Sequence, residues 1–78
     1  MTTQTIHSTV DAKGLSCPMP IVKTAQHIKG VPPGAIVEVL ATDAGSVKDF
    51  AAWTRSTGNS IVEQSVDAGV YRFVIQRA

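Results

Sequence analysis

The sequence predicts a two-layer α/β sandwich, a mixed four-stranded sheet with two helices packed on one face, in the order β-α-β-α-β-β. Three observations lead there. A strand, a helix of about 13 residues and a second strand follow one another, which implies a right-handed crossover between parallel neighbours. The last two strand-like runs are joined only by Asp67-Ala68-Gly69, the spacing of an antiparallel hairpin. A length of 78 residues, 44% of them hydrophobic and 17% charged, suits one globular domain over residues 1–78 rather than a disordered chain. Residues 1–4 are expected to be disordered.

Each element has its own signal. Thr5 to Val10 alternates as a strand, with Ile6, Ser8 and Val10 on one side. Asp11 to Ser16 is a polar turn in which Gly14 is free to take a positive φ. The first helix is predicted from Cys17-Pro18 to Lys29. Pro18 suits the first helical position, and Ile21, Ala25 and Ile28 form a stripe that Val22 widens. Gly30 ends it, and Val31-Pro32-Pro33-Gly34 connects to the strand Ala35 to Ala41, rich in β-branched residues. After the turn Thr42 to Gly45, Ser46 with Asp49 three residues on reads as a capping box opening the second helix. Val47, Phe50, Ala51 and Thr54 supply its apolar face, and Gly58-Asn59 stops it. Ser60 to Val66 and Val70 to Gln76 are the hairpin strands. In this topology both helices begin at one edge of the sheet, which carries Asp11 to Pro20 and Asp43 to Asp49.

Charge and composition exclude several function classes. Seven Lys/Arg against six Asp/Glu leave a net charge of +1, with no basic stripe for nucleic acid. No apolar run approaches the roughly 20 residues of a membrane helix. Met1 to Thr9 carries no basic start followed by an apolar core, so no signal peptide is expected and the predicted location is cytoplasmic. The single cysteine can form neither an internal disulfide nor a four-ligand zinc site, so no metal is expected.

That cysteine is the residue on which chemistry can rest. Cys17 stands at the predicted helix start within Gly14-Leu15-Ser16-Cys17-Pro18-Met19-Pro20. A helix N-terminus favours a nearby anion by about 0.3–1 kcal/mol, which would draw the thiol's pKa down, and Lys23 could add to this. Pro18 and Pro20 stiffen the start by fixing φ. The other reading of Cys17 is a small buried hydrophobe. A cysteine-protease arrangement needs a histidine within reach, yet His27 lies about 15 Å down the same helix and His7 toward the opposite edge. No second cysteine exists to resolve a mixed disulfide. What remains is a lone nucleophilic sulfur that accepts a group and hands it on, for which a persulfide fits.

The stretch Asp11-x-x-Gly14-Leu15-x-Cys17-Pro18-x-Pro20 resembles the signature of the TusA/SirA-like sulfur-carrier proteins. Pro33-Gly34, Thr42-Asp43, Asp49-Phe50, Gly58 and the run Tyr71 to Ile75 also fit, so the resemblance covers residues 5 to 77. It implies the same two-layer sandwich and a role in sulfur relay. The implied donor is a cysteine desulfurase or a rhodanese-type protein, and the implied acceptor a DsrE/TusD-like carrier. The pathways served in the family include tRNA 2-thiolation, sulfur oxidation and molybdenum-cofactor assembly. Carried over, Cys17 bears the sulfur, Pro18 and Pro20 shape its helix start, and Asp11, Gly14 and Leu15 shape the loop before it. No cofactor is implied. Two departures are visible: Ala44 stands where many relatives have proline, and the second helix lacks the cysteine some members carry there.

Other residues have a bland and a functional reading. Asp43, Ser46 and Asp49 are expected at the Cys17 edge, as turn and helix cap or as partner contacts. Lys13, Lys23 and Lys48 could form a positive rim there or simply be solvated. Trp53 is expected to be partly buried. Arg72 and Arg77 read as exposed strand charges. The function predicted is that of a monomeric sulfur carrier, an enzyme only as a sulfurtransferase turned over by its partners. The alternatives are a non-catalytic binding or regulatory module with a structural cysteine, or an RNA-binding sandwich, which the charge argues against.

Overall fold

The computed structural model describes residues 5–78, so the expectation for residues 1–4 falls outside the described residues. The elements are β1 (Ser8–Ala12), α1 (Met19–Ile28), β2 (Ile36–Ala41), α2 (Ser46–Thr57), β3 (Ser60–Asp67) and β4 (Val70–Gln76). The sheet has the order β1-β2-β4-β3, with β1 parallel to β2 and the other two pairings antiparallel. This is the predicted mixed sheet and element order. Val10, Val37, Val39, Ala41, Phe73 and Ile75 line its inner face and meet Ile28, Val31 and Phe50 in one buried cluster. Phe50 stacks on Phe73 with ring centroids 4.6 Å apart, and Trp53 meets Phe50 edge-on from the half-buried rim.

Several boundaries differ from those predicted, each for a reason of pairing or packing. The first strand begins at Ser8 rather than Thr5, because β2 starts at Ile36 and only the His7 N–H, 2.7 Å from the Ile36 carbonyl, pairs before it. It continues to Ala12 because Asp11 and Ala12 find partners in Leu40 and Ala41. Helix α1 starts at Met19, with Pro18 as its N-cap rather than its first residue and Pro20 within the first turn. Its buried stripe is Pro20, Thr24 and Ile28, so Val22, expected to widen the apolar face, is instead 38% exposed. Gly45 is the N-cap of α2, and no side chain caps that helix. Ser46, expected as the cap, is its first helical residue, with a buried hydroxyl that has no hydrogen-bond partner. Asp49 is therefore one residue too far along to close a capping box.

The outer face of the sheet carries an ion cluster. Arg72 reaches Glu38 at 2.5 Å and Glu63 at 2.8 Å, and Thr9 donates to Glu38 at 2.9 Å. Val74 is in register with both glutamates and is only 1% exposed, although no helix covers that face. Arg72 is thus half-buried and bridging rather than a simple exposed charge. Arg77 donates to the Val31 carbonyl beyond the end of α1. The parallel pairing brings the ends of β1 and β2 to one edge. The hairpin tip joins them there, since Tyr71 pairs with Ala41.

Candidate functional site at the Cys17 edge

The loop after β1 is built by its own residues and then tied to its neighbours. The carboxylate of Asp11 accepts from the Lys13 N–H at 3.1 Å, and the Leu15 N–H returns to the Ala12 carbonyl at 3.2 Å. Gly14 has φ +81°, the left-handed conformation this turn requires. Its N–H donates to Thr42 Oγ1 at 2.9 Å. Leu15 is half-buried and Pro20 buried, so the loop is anchored on both sides of an exposed Cys17. The Cys17–Pro18 peptide is cis, and the Met19 N–H closes onto the Ser16 carbonyl at 2.8 Å.

Two aspartates from the second edge loop and α2 meet the cysteine. Asp43 accepts the Cys17 N–H on Oδ2 at 2.7 Å and the Gly45 N–H on Oδ1 at 3.2 Å. The thiol of Cys17 donates to Oδ2 of Asp49. The thiol's pKa is raised above the ordinary cysteine value, foremost by that hydrogen bond, then by desolvation and by the charges of Asp49 and Asp43. The sequence-based expectation of a lowered pKa is therefore corrected. Partial charge at a helix start loses to two full carboxylate charges within a few ångströms. Lys23 does not compensate, because its Nζ donates to the Asp11 carbonyl at 2.6 Å.

Among the predicted site residues, Cys17, Asp43 and Asp49 thus meet directly, while Asp11, Gly14, Lys23 and Pro20 hold the loop. Pro18 caps α1, its carbonyl taking the Val22 N–H at 3.1 Å. Lys13 and Lys48 are exposed, and neither ammonium bonds to the cysteine or its aspartates. Ser46 is buried in the packing and makes no bond to Cys17. One contributor is absent from the predicted site residues: Thr42, whose hydroxyl accepts the Gly14 N–H and pins the turn. A hydroxyl following a strand opposite a glycine turn is a recognisable signal for it.

The histidines lie at the other end of the sheet, where His27 Nε2 and Ser8 Oγ are 2.7 Å apart and His7 Nδ1 sits 3.1 Å from the same hydroxyl. Neither can serve Cys17. Among the described residues no group of three or more His, Cys, Asp or Glu is placed to hold a metal ion, and no helix is long and apolar enough to cross a membrane. The site is a lone exposed thiol held by backbone bonds at the edge of a small two-layer α/β sandwich.

Residues 8–77 match the family model of sulfurtransferase TusA, and the chain belongs to that family. It is 39% identical over 69 residues to the sulfur carrier protein TusA of Allochromatium vinosum, which covers 88% of this chain and 91% of the relative. It is 35% identical over 72 residues to the sulfur carrier protein TusA of Pseudomonas fluorescens, covering 92% and 87%. The crystal structure of a SirA-like protein from Desulfitobacterium hafniense superposes with a TM-score of 0.76 at 25% identity, over 88% of this chain and 95% of that one. A sulfur-transfer role accompanies membership of the family.

Proposed function

We propose that this protein carries sulfur as a persulfide on Cys17, taking it from one protein partner and passing it to another. The observation that carries the reading is the exposed Cys17 sulfur, presented at the sheet edge by a loop whose backbone is bonded on both sides. In loading, the Cys17 sulfur attacks the terminal sulfur of a donor persulfide R–S–SH. A new Sγ–S bond forms, the R–S bond breaks, and R–SH is released with Cys17–S–SH. An acceptor thiol repeats the exchange in the other direction, so no net oxidation or reduction occurs.

A cysteine desulfurase or rhodanese-type donor and a DsrE/TusD-like acceptor are the partners this reading assigns, with tRNA 2-thiolation or sulfur oxidation as the pathway. The motif residues Asp11, Gly14, Leu15, Pro18 and Pro20 serve by shaping the presentation of the sulfur. The compartment this reading assigns is the cytoplasm.

The test is intact-protein mass spectrometry after incubation with a cysteine desulfurase and cysteine, or with polysulfide, on wild type and Cys17→Ser. A gain of one sulfur, about 32 Da, on wild type alone and reversed by dithiothreitol is expected. Folded wild type that gains nothing from either source sinks the carrier reading in favour of a binding module.

A further inference from the structure

We propose that Asp49 is the catalytic base of the relay, taking the Cys17 thiol proton as the sulfur is loaded and supplying a proton to Sγ as the sulfur leaves. This role rests on the carrier reading above. The carboxylate touches the reacting atom, since Oδ2 accepts the Sγ–H hydrogen bond directly. Among the described residues no other free base is bonded to the thiol. Both histidines lie at the far end of the sheet beside Ser8. Among the described residues Asp43 is the only other carboxylate bonded to Cys17, and each of its oxygens already receives a backbone N–H. It positions the loop.

Asp49 is different. Among the described residues its carboxylate has no cation and no hydrogen-bond donor besides the Cys17 thiol. Its place in the helix explains this freedom. With Gly45 as N-cap, Asp49 lies beyond the third helical residue and cannot reach back to cap the chain, while its own N–H is satisfied by the Gly45 carbonyl at 3.1 Å. A carboxylate on the first turns of a helix, aimed across 32 residues of sequence at one thiol, is spared every local structural task.

The step balances. As Sγ bonds to the outer sulfur of R–S–SH, the R–S bond breaks with its electron pair on R–S⁻. The Cys17 proton passes to Asp49 Oδ2 and from there to R–S⁻, leaving Cys17–S–SH and R–SH. In the reverse direction the acceptor thiol R'–SH gives its proton to Asp49 as its sulfur attacks the outer sulfur, and Asp49 delivers that proton to Sγ as the Sγ–S bond breaks, leaving Cys17–SH and R'–S–SH. The same carboxylate holds the resting thiol protonated, which limits its reaction with small electrophiles that bring no proton acceptor of their own.

Those two effects of Asp49 have opposite signs, and that makes the role testable. Wild type, Asp49→Asn and Asp49→Glu would be compared at pH 7.5 for single-turnover loading from glutathione persulfide and, separately, for alkylation by iodoacetamide. For Asp49→Asn the expected result is faster alkylation together with loading slowed roughly 100-fold. Asp49→Glu should recover part of the loading rate, and its circular dichroism spectrum guards against misfolding. Loading by Asp49→Asn that equals or exceeds wild type would overturn the proposal, reducing Asp49 to an electrostatic brake. Alkylation and loading slowed by the same factor would also overturn it, showing a purely structural role. Wild type that takes up no sulfur overturns the carrier reading itself, and this role with it.

Discussion

The backbone N–H of Cys17 donates to Oδ2 of Asp43 at 2.7 Å, joining two edge loops that lie 26 residues apart in the chain. The same carboxylate holds Gly45, so one half-buried side chain sets both the cysteine loop and the start of α2. The cysteine's position is therefore a property of two loops.

Replacing Asp43 by alanine should release both N–H groups to water at a cost of about 1 kcal/mol, the net worth of such bonds at a partly exposed site. For a domain of this size that lowers the melting temperature by roughly 4–8 °C. Thermal unfolding followed by circular dichroism would read it, and an unchanged melting temperature would remove Asp43 from its tying role.

The raised pKa of Cys17 carries a pH signature in stability. The folded chain holds the thiol proton more tightly than the unfolded chain does. The contribution is fully present below the unfolded thiol's value of about 8.5 and is lost as pH rises through the higher folded value. Urea midpoints of wild type should consequently fall more steeply above that pH than those of Cys17→Ser. Parallel curves for the two proteins would contradict the assignment.

Arg72 should matter through both of its glutamates and the valine beneath it. Arg72→Ala is expected to destabilise by about 1 kcal/mol, since the pair is partly exposed and solvent-screened. Glu38 has its pKa lowered, chiefly by the Arg72 hydrogen bond and then by Thr9. That stability is present above the unfolded value of about 4.3 and is lost as pH falls through the folded value. The gap between wild type and Arg72→Ala should close in acid, as denaturant midpoints taken across that range would show.

Phe50 is the core residue with the least tolerance. It is fully buried, stacked on Phe73 and touched edge-on by Trp53. Phe50→Ala should cost about 3–5 kcal/mol. A domain this short has only about 4–12 kcal/mol in total. The variant should melt far below wild type or be partly unfolded at room temperature, visible in the near-ultraviolet circular dichroism of Trp53.

How far the sequence was readable depends on how local each signal is. The β-branched run of β2, the Asp67-Ala68-Gly69 turn and the helix stop at Gly58 are short-range features, and they appear where predicted. The start of β1 differs from the expected Thr5 because a strand's ends are set by its partner, and β2 offers no ladder before Ile36. Val22 is exposed against expectation because the helix is rotated to bury Pro20, Thr24 and Ile28, an orientation set by the sheet beneath it.

At the site the division is the same. The sequence by itself determined that the chain folds as a β-α-β-α-β-β sandwich, that its single cysteine stands where a helix begins, and that neither histidine is close to it. These follow from order, spacing and composition. Only the tertiary structure decided that Ser46 is buried rather than capping, that Lys23 serves the Asp11 carbonyl, and that Asp43 and Asp49 close around Cys17 and raise its pKa. The physical reason is reach. A helix dipole is written into the residues that form the helix, whereas a carboxylate 32 residues away acts on the thiol only after the fold has placed it there.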